Sequence, residues 1–208
     1  MTTVRNLWRG VAGAALALIL TGCITLLPKT PPAQLYRFGA TAAATAPPTV
    51  PRVFAVRGGA INFVAASAGD QILTVDGDKT AYIGGARWIT SAATLFKAAT
   101  DRAFAAHAGP ARLLARGETA HADYLLKLDV RRFETRYDHG AGAAPTVMVE
   151  VYAALDDPSR PAAGRDHLFS ASVAASDNRV GAIVRAYDGA VDQVLGELVG
   201  WVDAKGAP

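Results

Sequence analysis

The sequence predicts a single α/β domain in which two helices pack on a mixed, largely antiparallel sheet. Three observations carry that prediction. Tyr124–Val130 and Val147–Ala153 alternate apolar and polar residues with the period of two that a half-buried strand needs. Val180, Ile183, Val184, Tyr187, Val191, Val194, Leu195, Leu198 and Val202 form one apolar stripe at helical spacing. Asp76-Gly77 parts two short strand-like runs, which marks a hairpin. Strands with interposed amphipathic helices give a sheet covered by those helices.

The chain opens with Arg5 and Arg9, followed by an uncharged run from Val11 to Leu20 and then Thr21-Gly22-Cys23. A charged start, a short apolar stretch and small residues at its end define a secretory signal. The run is too short for a membrane-spanning helix, which needs about 20 apolar residues. Leu20-Thr21-Gly22-Cys23 has the form of a bacterial lipobox, which predicts cleavage between Gly22 and Cys23. Residues 1–22 are then a lipoprotein signal peptide. Cys23, the single cysteine, becomes the first mature residue, carrying a thioether diacylglycerol and an N-acyl chain. One myristoyl chain holds a protein only marginally, at about 0.8 kcal/mol per buried methylene. Three chains make the anchor effectively permanent. Ile24, not Asp, follows the cysteine, so the expected destination is the periplasmic face of the outer membrane; that sorting rule is empirical.

Residues 23–33 read as a lipidated tether kept extended by Pro28, Pro31 and Pro32, and the chain from Cys23 to Gln34 reaches at most about 40 Å. The body is expected over residues 34–203. Gln34–Phe38 reads as a first short strand. Gly39–Pro51 is an Ala/Thr/Pro linker without the large apolar groups that would offset its ordering. Arg52–Val56 is a second strand. Gln71–Val75 and Thr80–Ile83 form the hairpin around Asp76-Gly77. A calcium loop built on Asp76 and Asp78 lacks the further ligands at fixed offsets.

Thr90 or Ser91 caps a helix that runs to about His107, with Ala92, Leu95, Phe96, Ala99, Ala103 and Ala106 on one face, and Gly109-Pro110 stops it. Ala122–Phe133, Thr146–Leu155 and His167–Ala175 read as a meander of three antiparallel strands. Asp177 caps the final helix, which the stripe carries to about Val202.

Composition excludes several functions. The formal charge is +3 with the signal included, so the mature chain is near neutral once Arg5 and Arg9 are removed. No Lys/Arg-rich block grips phosphates, and nucleic acid is not an expected partner. A lone cysteine allows no internal disulfide. No Gly-x-Ser-x-Gly elbow and no nucleotide-binding loop is present, and no catalytic residues are assigned. His107, His121, His139 and His167 lack metal-ligand spacing, so no metal or cofactor is expected beyond the covalent lipid on Cys23. Each histidine reads most simply as a surface or loop residue. Asp138-His139 could form half of an acid–base pair, but no nucleophile accompanies it.

One stretch stands apart: Ala81-Tyr82-Ile83-Gly84-Gly85-Ala86-Arg87-Trp88. With Leu95-Phe96 and Ala122–Val130, and more weakly Tyr36-Arg37-Phe38, it resembles the ABC-type transport auxiliary lipoproteins, the PqiC-like family. The resemblance runs from about Gln34 to Trp201. It implies an outer-membrane lipoprotein that accompanies an ABC permease, its ATPase and a periplasmic MCE-domain protein in phospholipid transport between membranes. It leaves open direct contact with phospholipid and assembly into a homo-oligomer. Tyr82, Arg87 and Trp88 are the candidate interface residues. The competing structural role has Trp88 packing under the helix while Arg87 pairs locally. Other classes compatible with a lipid anchor are a lipopolysaccharide-assembly partner, a cell-wall synthase activator or an envelope hydrolase using His139.

Overall fold

Six aromatic side chains from six different parts of the chain meet at one point, and the architecture is organised around them. The computed structural model describes residues 32–39, 51–160 and 164–206. The signal peptide, the Gly22–Cys23 cleavage site, most of the tether and most of the Ala/Thr/Pro linker lie outside those residues. From Ala33 onward the chain is one compact unit.

The strands are β1 (Gln34–Tyr36), β2 (Phe54–Phe63), β3 (Gln71–Asp76), β4 (Lys79–Trp88), β5 (Ala111–Leu113), β6 (Tyr124–Arg136), β7 (Thr146–Asp156) and β8 (Arg165–Ala174). The helices are α1 (Ala65–Ala68), α2 (Ala92–Ala106) and α3 (Val180–Gly206). All eight strands join one mixed sheet. β6, β7 and β8 form the expected antiparallel meander. The other edge of β6 is shared. β2 runs parallel to its first half, from Val56 opposite Tyr124 to Phe63 opposite Val130. β3 runs parallel to its end, with Thr74 opposite Thr135 and Val75 opposite Arg136. β5 extends the sheet beyond β2, and β4 then β1 extend it beyond β3. The antiparallel meander and hairpin predicted from sequence therefore hold, while the additional pairings, β1–β4, β2–β5, β2–β6 and β3–β6, are parallel.

The hairpin between β3 and β4 closes with Asp76 opposite Lys79, and Gly77 supplies the positive φ of +56° that its turn requires. β7 shows why period two is a strong signal: Val147, Val149, Val151, Ala153 and Leu155 are all fully buried, and the residues between them are not. α3 lays its stripe on β7 and β8, and α2 packs against α3, β5 and β2. Ser91 caps α2 by accepting a hydrogen bond from the Thr94 amide at 3.2 Å. Near the start of α3, Asp177 accepts from the Arg179 amide at 2.8 Å. The buried face of α2 is Ala92, Phe96, Ala99, Thr100 and Phe104. It lies slightly round from the predicted stripe, because Leu95, Ala103 and Ala106 are only half-buried.

β6 carries the decisive irregularity. Tyr124, Leu126, Leu128 and Val130 face the helices, as strict alternation predicts. Continued alternation would then turn Arg132 inward. Instead the register with β7 shifts between Val130 and Arg132, so Arg131 and Arg132 both stay outside and Phe133 and Thr135 enter the core. One extra residue changes the face of everything after it.

Phe133 then touches five other rings. Its centroid lies 4.7 Å from Tyr187 of α3, 5.1 Å from Phe38 after β1, 5.3 Å from Phe63 of β2, 6.4 Å from Trp88 of β4 and 6.5 Å from Phe96 of α2. The Tyr187 hydroxyl is buried with them and accepts a hydrogen bond from Thr135 Oγ1 at 3.2 Å. Burial pushes the Tyr187 phenol far above the usual tyrosine range, so it stays neutral. Truncating Phe133 should remove contacts to five other parts of the chain at once. In urea unfolding of the mature chain, Phe133→Ala is expected to cost about 3–5 kcal/mol. Leu168→Ala, on the exposed side of β8, is expected to stay within about 0.5 kcal/mol. Similar small losses for both variants would mean that the ring cluster is not the organising core.

Candidate docking surface

The stretch that stood out in the sequence forms the far end of β4. Opposite β3, Gln71 faces Arg87 but Leu73 faces Tyr82, so β4 carries extra residues between those two points. Gly85, at a φ of +70°, makes that bulge possible, because a side chain there would be strained. After the bulge the strand regains alternation. Ala86 and Trp88 point inward, while Arg87 and Ile89 are exposed.

Trp88 is only 2% exposed. It stacks edge-on against Phe38 at 4.9 Å and Tyr187 at 5.2 Å, and its amide donates to the Asp70 carbonyl at 2.7 Å. It lies in the core, so it bears on any partner only from beneath, by fixing the end of β4. Arg87 projects outward and pairs with both Asp70 oxygens at 3.0 and 3.1 Å. Both partners are about half exposed, so the pair contributes at most about 1 kcal/mol. Such a pair gives up little when a partner replaces it. Tyr82 is 43% exposed and donates its hydroxyl to the Ala66 carbonyl of α1 at 3.0 Å.

Two exposed hydrophobic residues complete this edge, and sequence reading did not single them out. Leu35 of β1, 61% exposed, lies directly opposite Arg87 in the parallel β1–β4 ladder. Ile89, 59% exposed, follows two residues after Arg87, with its amide bound to the Tyr36 carbonyl at 2.7 Å. The signal was present: once Trp88 is inside, alternation puts both Arg87 and Ile89 outside. Arginine and tyrosine are among the residue types enriched at binding hot spots.

The other candidate residues are scattered. Among the described residues, no group of three or more His, Asp or Glu side chains could hold a metal. His107, read from sequence as a surface or loop residue, has a defined role. Its Nε2 pairs with Asp203 at 2.5 Å, while the other Asp203 oxygen accepts from the Ala111 amide at 3.0 Å, so the end of α2 is tied to α3. His167 packs edge-on to Phe169 at 4.6 Å and beside Trp201. His121 and His139 are exposed. Asp138 binds Arg136 at 2.9 Å, and Arg136 also reaches Glu134. The hydrogen bond from Arg136 holds the Asp138 carboxyl below its usual range, opposed by partial desolvation. A carboxylate held ionised in this way is a poor proton donor at neutral pH. Among the described residues, no helix is long and apolar enough to cross a membrane.

Fold and surface together define a mixed α/β domain whose β4 end carries exposed aliphatic side chains beside a half-exposed ion pair. The chain belongs to the ABC-type transport auxiliary lipoprotein component family, whose description matches residues 36–199. Among solved structures it is similar to protein XCC0632 from Xanthomonas campestris, at 25% identity and a TM-score of 0.70, covering 84% of this chain and 97% of that one. It also shares its fold with an uncharacterized protein at 10% identity and a TM-score of 0.61, covering 85% and 99%. No curated protein matches it in sequence.

The Asp138 assignment has a direct check. The folded carboxyl titrates below its unfolded value, so the Arg136 interaction is present above the ordinary carboxylate range and is lost as pH falls through the lowered value. Arg136→Gln should therefore raise the Asp138 pKa, read by carboxyl-carbon NMR titration. An unmoved titration would show that Arg136 does not set it.

Proposed function

We propose that this protein is the lipid-anchored accessory of an ABC/MCE-type system that moves phospholipid between membranes. In this reading it is held by Cys23 to the periplasmic face of the outer membrane, where its body docks the MCE-domain partner. The observation that carries the docking role is the β4 edge, where Arg87, Ile89 just after the strand and Leu35 on the neighbouring β1 are exposed around an end that Trp88 locks into the core, with Tyr82 exposed earlier on the same strand. Family membership supports the transport context. The protein acts by binding, and the transporter's ATPase supplies the energy. A short tether suits that role, because it keeps the body at high effective concentration near the bilayer.

The test uses the acylated full chain in membranes with its partner. Tyr82→Ala combined with Arg87→Glu should reduce co-purification of the MCE partner about tenfold or more, as expected for loss of a central contact. Thermal stability should fall only modestly, since the Arg87–Asp70 pair is half exposed and the Tyr82 hydrogen bond lies at the surface, and Arg87→Ala serves as the control that places no carboxylate against Asp70. A folded double variant that captures the partner as well as the parent would remove this edge from the mechanism.

A further inference from the structure

A second feature lies away from the β4 edge. Between α2 and the β2–β5 side of the sheet is a cleft of about 320 Å³, continuous through Leu113, Leu114, Ala115 and Arg116 with a shallower opening of about 580 Å³. The floor is aliphatic, made by Ile61, Leu113, Leu126 and Leu128. Thr100, the hydroxyl facing it, already donates to the Phe96 carbonyl at 2.9 Å. A peptide entering here would find no free side-chain group on that floor to satisfy its backbone, and an alkyl chain needs none.

The slot exists because β2 lacks side chains at its irregularity, where the register with β6 shifts between Gly58 and Ile61. Gly59 is confined there, since a Cβ would come within 3.1 Å of the Leu126 carbonyl oxygen. Gly58 is not: its nearest neighbour would be Leu113 Cδ1 at 3.7 Å, an ordinary contact. A side chain at Gly58 would therefore be accommodated by the backbone and would project into the opening.

The rim is cationic. Arg52, Arg57, Lys97, Arg112 and Arg116 line the two openings against only Asp101 and Glu118. Each acid is already matched, Asp101 with Lys97 at 2.7 Å and Glu118 with Arg112 at 2.7 Å. Arg52 and Arg57 are held by backbone carbonyls, which orient them, and neither forms a direct salt bridge among the described residues, although Glu118 lies near enough to Arg57 to feel its charge. Arg116 makes no ion pair or hydrogen bond among the described residues. A positive rim over an aliphatic slot is complementary to an amphiphile with an anionic head.

We infer that this cleft binds one acyl chain of a phosphate-bearing lipid, with the phosphate at Arg116 and the chain over Gly58 and Leu113. The inference rests on the transport reading above for its biological sense, and its test is independent of the partner. The mature chain would be titrated calorimetrically with dodecyl phosphate, dodecyl maltoside and inorganic phosphate, each below any micelle-forming concentration. Saturable binding of one dodecyl phosphate per chain is expected, with dodecyl maltoside about fivefold or more weaker and inorganic phosphate not retained. Gly58→Leu should weaken dodecyl phosphate about tenfold or more by filling the slot. Arg116→Glu should weaken it several-fold, with Arg116→Lys close to the parent. No saturable binding by the parent, or undiminished binding by folded Gly58→Leu, overturns the inference. Equal affinity for the maltoside overturns the assignment of an anionic head. Partner co-purification is measured in parallel: a parent that captures the partner but ignores dodecyl phosphate refutes the cleft and leaves the docking reading standing.

Discussion

Phe133 reaches the aromatic cluster only because β6 takes one extra residue at Arg131, and most of the architecture depends on that placement. The ring makes contacts with Phe38 just after β1 and with groups from β2, β4, α2 and α3. Each aromatic pair adds about 0.5–1.5 kcal/mol beyond area burial, against a typical net stability of about 5–15 kcal/mol. Six of the chain's aromatic residues are concentrated at this one point. The short β1 has just three paired residues, and Phe38 immediately after it secures that strand to the core.

The β4 edge inherits its order from the same cluster. Trp88 is the last residue of β4 and packs on Phe38, Phe133 and Tyr187, so the position of the preceding Arg87 is fixed from below. The surface above it is weakly committed, with one half-exposed ion pair and two bare aliphatic side chains. A rigid base beneath displaceable contacts lowers the cost of ordering on association. The cleft beside α2 is built differently, from missing side chains in β2 and arginines clamped by carbonyls.

Much of this was legible in the sequence where one physical rule dominates. β7 is buried on one face throughout, so its alternation is unbroken, and α3 is buried along its whole stripe. The β3–β4 hairpin followed from Asp76-Gly77. Other features answer to competing rules. β2 continues through Gly58 and Gly59, residues with low strand propensity, because β6 pairs with it both before and after its irregularity. β5 is three residues long and α1 four, too short for any period to show. The face of α2 rotated toward Thr100 because its hydroxyl is satisfied within the helix and so tolerates burial. Parallel pairings join residues far apart in sequence and leave no local signature. At the β4 edge, residue types identified Tyr82, Arg87 and Trp88, but only packing separated the buried tryptophan from the exposed tyrosine and arginine. Leu35 joined them through a ladder that sequence distance conceals.

The central claim is that the β4 edge is the partner-facing surface of a membrane-anchored accessory protein. Site-specific photo-crosslinking in intact cells tests it most directly, with a photoreactive amino acid placed singly at Ile89 or at Ser172 on the exposed side of β8. The account predicts a crosslink from position 89 to an MCE-domain protein of the same transporter, and none to that protein from position 172. Crosslinking to the MCE protein from position 172 alone, or none from either position in cells where both proteins are present, would contradict it.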